Sequence, residues 1–118
     1  MEDKKQKDAA SDLVANLMLR FGSSLEELQK QYAPRQLNII EVEDKVAILA
    51  PITATVIAGY SMALVDPEKG MEVATRYLLE ELWLAGDDEI RDNEDYFIAA
   101  MLQVQNVVQT KNSRFIKL

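Results

Sequence analysis

The chain contains no cysteine and no histidine among its 118 residues. The lack of cysteine excludes disulfides, thiol catalysis and cysteine-ligated zinc or iron–sulfur sites. The lack of histidine removes the usual general base near neutral pH, the Ser-His-Asp triad and the commonest ligand of transition metals. We therefore expect no enzymatic activity, no catalytic or cofactor-binding residues, no cofactor and no metal site.

Long apolar runs and glycine-rich motifs are also missing from the sequence. No apolar run reaches the roughly 18 residues that a membrane span needs. The polar start at residues 1–8 has no hydrophobic segment behind it that could act as a secretory signal. The four glycines stand apart from one another, so no phosphate-cradling motif is present. These absences predict a cytoplasmic protein with no membrane partner.

Basic residues are outnumbered by acidic ones, 13 against 20, which gives a net charge of −7. Binding to nucleic acid or to an anionic membrane surface needs clustered lysine and arginine, so neither is expected. An acidic surface keeps the chain soluble and suits a partner that is basic or exposes apolar surface. The charge balance therefore favours a protein partner.

The chain is long enough for one folded domain, and its hydrophobic content of 48% is ordinary for a globular protein. We expect residues 1–8 to form a disordered arm and residues 9–118 a single domain. Apolar residues at helical spacing follow from position 9, and Gly22 is a credible helix stop. Ser24 and Glu27 form a capping-box pattern for a second helix, which Pro34 ends.

Residues 37–50 have the composition of two short strands. They are rich in β-branched residues on both sides of Glu43-Asp44, which indicates a tight hairpin. One face of this hairpin would carry the apolar residues Leu37, Ile39, Val46, Ile48 and Ala50. Two strands alone are marginal in water, so the hairpin must pack on helices or pair with another chain.

Three further helices are predicted after the hairpin. Thr53 or Thr55 can cap the third, and Asp66-Pro67-Glu68 is a helix start for the fourth, which should run to about Ala85 before the Gly86 stop. Asp92 followed by Asp95 starts the fifth. The sequence therefore predicts an α+β fold, mainly α, with about five helices and one β-hairpin at roughly residues 37–50, between the second and third helices.

Three features admit both a functional and a structural interpretation. Trp83 is either an interface anchor or a core residue. The basic, amphipathic tail at 111–117 either docks on an acidic partner or is solvated. A cluster of acidic residues either binds a hard cation or caps helices, and its spacing does not match the EF-hand order; the cluster comprises Asp87, Asp88, Glu89, Asp92, Glu94 and Asp95. Adjacent carboxylates such as Glu80 and Glu81 point in different directions on a helix and do not form a catalytic pair.

The order of these parts resembles a known family. The relevant segments are the ribbon IIEVEDKVAILAP, the helix end LLEELWLAGDDEI and the last helix DYFIAAMLQVQNVVQ. This pattern, over roughly residues 25–110, is similar to the small acidic proteins of tailed-phage and prophage structural clusters, particularly tail assembly chaperones. The resemblance implies a non-enzymatic protein of the bacterial host cytoplasm that binds apolar helical segments of a tape-measure protein and self-associates, giving a homo-oligomer.

Partner contacts are expected from one continuous apolar surface on neighbouring helices. The residues chosen for it are Leu78, Leu82, Trp83, Phe97, Met101 and Val104. Three alternatives remain open. The first is an oligomeric structural component of the virion, in which the hairpin pairs edge to edge with a neighbouring subunit. The second is a small acidic cytoplasmic regulatory or interaction protein. The third, ranked last, is an enzyme with carboxylate chemistry.

Overall fold

The computed structural model describes residues 2–108, in which helices predominate and one antiparallel sheet is present. The chain divides into two compact units, with the boundary between Gln36 and Leu37. The described elements, in chain order, are α1 (Glu2–Tyr32), β1 (Asn38–Val42), β2 (Lys45–Leu49), α2 (Ala54–Ala63), α3 (Gly70–Leu82), β3 (Trp83–Gly86), α4 (Glu89–Asp92) and α5 (Glu94–Val108). An α+β fold of mainly helical content is confirmed. The predicted division into an arm at 1–8 and one domain at 9–118 stays a prediction.

The first unit is built on α1, whose backbone is broken at Gly22. This residue has φ 49° and ψ −126°, a conformation that glycine adopts at low cost and other residues rarely adopt. Leu17 and Leu25, one on each side of the break, are both buried. The predicted stop at Gly22 and the predicted helix end before Pro34 are confirmed, although the helices on either side of Gly22 count as the single element α1.

The second unit contains the sheet, whose order is β1-β2-β3 with both pairs antiparallel. The hairpin pairs Ile39 with Ile48 and Glu41 with Val46, so the predicted face of Ile39, Val46 and Ile48 is correct. Glu43, the first residue of the two-residue turn, has φ 54°, as the tight turns between twisted strands require. Val46, Ala47, Ile48 and Leu49 are nearly inaccessible to solvent, so both faces of β2 are buried.

Two helices of the second unit pack closely through one glycine. The Tyr77 ring of α3 lies directly over Gly59 of α2, where a Cβ would come within about 2.5 Å of the ring atoms. Thr53 caps α2, because its hydroxyl accepts a hydrogen bond from the Val56 amide at 3.2 Å. Asp66 caps the turn before α3 by accepting from the Glu68 and Lys69 amides. The predicted helix start at Thr53 is therefore present. The predicted start at Asp66-Pro67-Glu68 is wrong, because these residues form a turn and α3 begins at Gly70.

The predicted fourth helix is wrong at its end, because residues 83–86 form a strand. The helix stops at Leu82, and β3 pairs Ala85 with Ile48 and Gly86 with Ala47. A strand here satisfies backbone groups of β2 that a one-hairpin sheet would leave unpaired. The hairpin also lies between α1 and α2, and not between a second and a third helix.

The start of the last helix also differs from its prediction. The short helix α4 precedes α5, and Asn93 separates them. The Asn93 side chain accepts hydrogen bonds from the Asp95 and Tyr96 amides, so Asn93, and not Asp92, is the cap. α5 packs against β1 and α3, and its Gln103 amide donates to the Glu41 carbonyl at 2.6 Å. Within residues 2–108, no helix has both the length and the apolar content to cross a membrane.

Candidate partner-binding groove

The six residues predicted to contact a partner divide into two groups. Leu78 and Leu82 of α3 and Phe97 and Val104 of α5 are buried in the core of the second unit. Trp83 and Met101 are only partly buried. In this fold a partner can therefore reach Trp83 and Met101 at the surface, while the other four lie beneath it.

A groove lies between α3, α4 and α5 on the surface of the second unit. Its volume is about 270 Å³, and it is open to solvent along one side. Its lining combines apolar side chains of α5, which we call the floor, with one acidic side chain from each of the three helices, which we call the rim, and with two arginines. The groove is lined by Glu72, Arg76, Arg91, Asp92, Glu94, Phe97, Ile98 and Met101.

Two arginines that line the groove have their guanidinium groups over aromatic rings. The Arg76 guanidinium lies 4.3 Å from the centre of the Phe97 ring and donates to the Arg91 carbonyl at 3.4 Å. The Arg91 guanidinium lies 3.9 Å from the Trp83 ring and forms an ion pair with Asp88. Cation–π contacts of this kind fix the position of the charge and shield the aromatic surface. Trp83 is consequently covered on one face by Arg91.

The acidic cluster that follows β3 has structural roles. The Asp87 side chain accepts from the Val46 amide at 2.9 Å, while the Asp87 amide donates to the Val46 carbonyl. Glu89 pairs with Lys45 at 3.3 Å, and this hydrogen bond, together with the charge of Asp44, raises the pKa of Lys45 above 10.5. Among the described residues, no three acidic side chains converge closely enough to hold a metal ion. The contacts of Asp87 and Glu89 therefore agree with a structural role for these two members of the cluster.

The outer side of α5 carries apolar residues next to the groove. Ile98 is 47% exposed and Leu102 is 67% exposed. They are four residues apart, so they lie one above the other on the same helix face. With the half-buried Met101 they form a strip of apolar surface, named here the α5 strip, which continues from the groove floor.

A second apolar surface lies where α2 ends and α3 begins. Met62 is 77% exposed and Val65 is 79% exposed, and Leu64, Met71 and Val73 are also exposed. The start of α3 is close to these residues, since a Cβ on Gly70 would lie about 2.7 Å from the Leu64 carbonyl oxygen. α2 itself contains no charged residue. We call this set of five residues the α2–α3 surface.

Of the α5 strip, Met101 was predicted from the sequence, but Ile98 and Leu102 were not, because the helix is apolar on more than one side. Phe97, Ala100 and Val104 follow one stripe and face the core. Ile98 and Leu102 follow a second stripe, and their spacing was the signal that could have identified it. The basic tail at 111–117 lies outside the described residues.

A comparison with known proteins finds no match, whether with a protein-family model, a curated protein or a solved structure.

Proposed function

We propose that this chain is a non-enzymatic assembly protein of the tail assembly chaperone type, acting in the cytoplasm of a bacterial host. Its partner is a protein with apolar helical segments, such as a tape-measure protein. The family part of this proposal rests on the resemblance in sequence pattern. The binding part rests on one observation, the exposed α5 strip beside an open groove.

The α5 strip is suited to a partner helix for two physical reasons. Ile98 and Leu102 present apolar side chains at the i, i+4 spacing by which a helix face contacts another helix. Core packing does not account for them, because the opposite side of α5 already supplies Phe97, Ala100 and Val104 to the interior. Surface apolar area that is continuous with a groove is characteristic of interaction sites.

A binding measurement with a tape-measure fragment tests this proposal. The full chain should bind the fragment in a pull-down and in calorimetry, and Leu102→Ser should weaken binding about tenfold because a central apolar anchor is lost. Leu19→Ser is the matched control, since Leu19 is also an exposed leucine on a helix, at 87%. No binding by the unaltered chain and by Trp83→Ala alike would contradict the proposal.

A second candidate function, an oligomeric structural component of the virion, is favoured by the α2–α3 surface. Because this surface is apolar and adjoins an uncharged helix, it suits contact between identical subunits of an acidic chain better than the acid-rimmed groove does. Light scattering of the full chain tests it. A mass above that of one chain, reduced by Val65→Glu but not by Leu102→Glu, would support a homo-oligomer formed through this surface.

A further inference from the structure

We propose that the groove between α3, α4 and α5 binds a basic amphipathic helix, with lysine or arginine side chains held by the acidic rim and apolar side chains held by the α5 strip. This inference rests on the proposed function and adds that the partner helix is positively charged. Two observations support it. Negative charge is concentrated around the groove, and the groove is continuous with exposed apolar surface.

The rim of the groove has an excess of negative charge. Glu72 comes from α3, Asp92 from α4 and Glu94 from α5, and all three are exposed. Within the described part of the chain, none of these three carboxylates forms an ion pair. Three separate elements therefore bring carboxylates to one opening, where a cationic side chain would meet several of them.

The two arginines that line the groove offset this charge only in part. Arg91 is already paired with Asp88, and its guanidinium lies over Trp83. Arg76 lies over Phe97 and donates to the Arg91 carbonyl, so its single positive charge faces the three carboxylates of the rim. Glu80 lies beside the same two arginines in an adjoining cleft. Counting Glu80 and Asp88 with the three rim acids, this region carries five carboxylates and two guanidinium groups.

The size and openness of the groove favour a side chain of a larger partner over an enclosed small molecule. Small-molecule sites usually have volumes of about 300–1,000 Å³ and bury most of the ligand. This groove has about 270 Å³ and is partly open to solvent. The α5 strip extends the contact surface by a further helical turn, through Ile98 and Leu102. A helix lying along α5 would use both parts at once.

Charge also distinguishes this occupant from others. The chain has a net charge of −7, which opposes binding of nucleic acid or of an anionic membrane surface at an acidic groove. A neutral apolar helix would use the α5 strip and leave the rim without a counter-charge. A helix with basic residues three or four positions apart, next to an apolar stripe, satisfies both parts of the site.

Three synthetic helical peptides test the proposal against the full chain by calorimetry. They share one leucine-rich stripe, and their polar positions carry lysine, glutamine or glutamate. We expect the lysine peptide to bind about tenfold more tightly than the glutamine peptide, and the glutamate peptide most weakly. In the triple variant Glu72→Gln, Asp92→Asn and Glu94→Gln, the advantage of the lysine peptide over the glutamine peptide should disappear.

A second triple variant provides the matched control. Glu26→Gln, Glu27→Gln and Glu68→Gln change the net charge by the same amount at exposed positions that are not part of the groove lining. The lysine peptide should keep most of its affinity for that variant. An equal loss in both triple variants would overturn the groove as the site, because it would show a response to net charge alone.

The outcomes separate this inference from the proposed function. Equal binding of the lysine and glutamine peptides, both weakened by Leu102→Ser, would preserve an apolar binding role and overturn the basic partner. Failure of all three peptides to bind would count against both. Self-association of the unaltered chain that the groove triple variant abolishes would make a second copy the occupant, and would also overturn the inference.

Discussion

Thr75, at the middle of α3, is fully buried and its hydroxyl has no hydrogen-bond partner among the described residues. A buried polar atom without a partner loses its hydration and gains nothing in exchange. Its neighbours along the inner side of α3 are Ala74, Leu78 and Leu79, which offer no polar side-chain atoms. The buried hydroxyl of Thr75 therefore lowers the stability of the core around it.

Replacing Thr75 with valine should stabilise the chain. Thr75→Val keeps the shape and removes the hydroxyl, so we expect the free energy of unfolding to rise by about 1 kcal/mol. Urea unfolding followed by circular dichroism measures this change. The control Thr75→Ser keeps the hydroxyl and removes a methyl group, and it should destabilise by about 1 kcal/mol. A valine variant no more stable than the original would contradict the prediction.

Asp66 links stability to pH at the turn before α3. The Glu68 and Lys69 amides donate to its carboxylate, and these hydrogen bonds hold the pKa of Asp66 below its ordinary value of 3.8. Because the folded pKa is lower than the unfolded one, the stabilisation is complete above 3.8 and disappears as the pH falls through the folded pKa.

Substitution of Asp66 should therefore have a pH-dependent effect. Asp66→Ala should lower the free energy of unfolding at neutral pH, and the difference from the original chain should shrink once the pH falls below 3.8. Urea titrations over a pH series measure it. Glu68→Gln removes an adjacent charge without removing the accepting carboxylate, so it serves as the control. A constant difference at all pH values would refute this account.

At the scale of secondary structure, Gly86 permits β3 to join the sheet. It has φ 139°, and a Cβ there would press on the Val46 carbonyl and lie about 2.8 Å from the Ala47 Cα. Both are backbone atoms of the central strand, so no side-chain rotation can relieve the contact. The glycine was predicted from sequence as a helix stop, but its position beside β2 depends on tertiary structure.

Gly86→Ala should consequently destabilise the second unit by about 2 kcal/mol or more, since strain at this φ adds to the backbone clash. Gly22→Ala is the informative comparison, because Gly22 also has positive φ but no atom lies near its Cβ position. We expect a smaller cost there, of about 1 kcal/mol. Thermal unfolding of both variants measures the two losses of stability. Equal losses would contradict a clash between the Cβ of residue 86 and the backbone of β2.

Local chemistry accounts for the elements that were predicted correctly. Gly22 and Thr53 act on residues within four positions, and the hairpin depends on neighbouring strands. The third strand could not be predicted in the same way. Trp83, Leu84 and Ala85 follow a helix and have apolar side chains, so they continue its pattern, and only pairing with β2 makes them a strand.

The candidate site, like the third strand, could be predicted only in part from the sequence. Phe97 and Met101 were identified from their helical spacing, which does not distinguish a core face from a surface face. The groove brings together Glu72, Asp92 and Glu94, which are far apart in sequence or at different helix ends. Their convergence follows from the packing of α3, α4 and α5, and no sequence pattern contains that information.

For the whole molecule, the net charge of −7 makes binding to a basic helix dependent on salt. Raising the salt concentration from about 0.05 M to about 0.5 M shortens the range of charge interactions several-fold. We expect the dissociation constant of the lysine peptide to rise about tenfold over this range, while that of the glutamine peptide changes little. Calorimetry at several salt concentrations measures both, and parallel changes would contradict the role of charge.

Trp83 also provides a natural optical reporter. It is the only tryptophan of the chain, it is partly buried, and the guanidinium of Arg91, a residue of the groove lining, lies over its ring. Indole emission can be excited separately from the four tyrosines, and its wavelength and intensity respond to the cation above it. Any ligand that displaces Arg91 should therefore change the emission of an unlabelled sample, which allows screening for partners directly in solution.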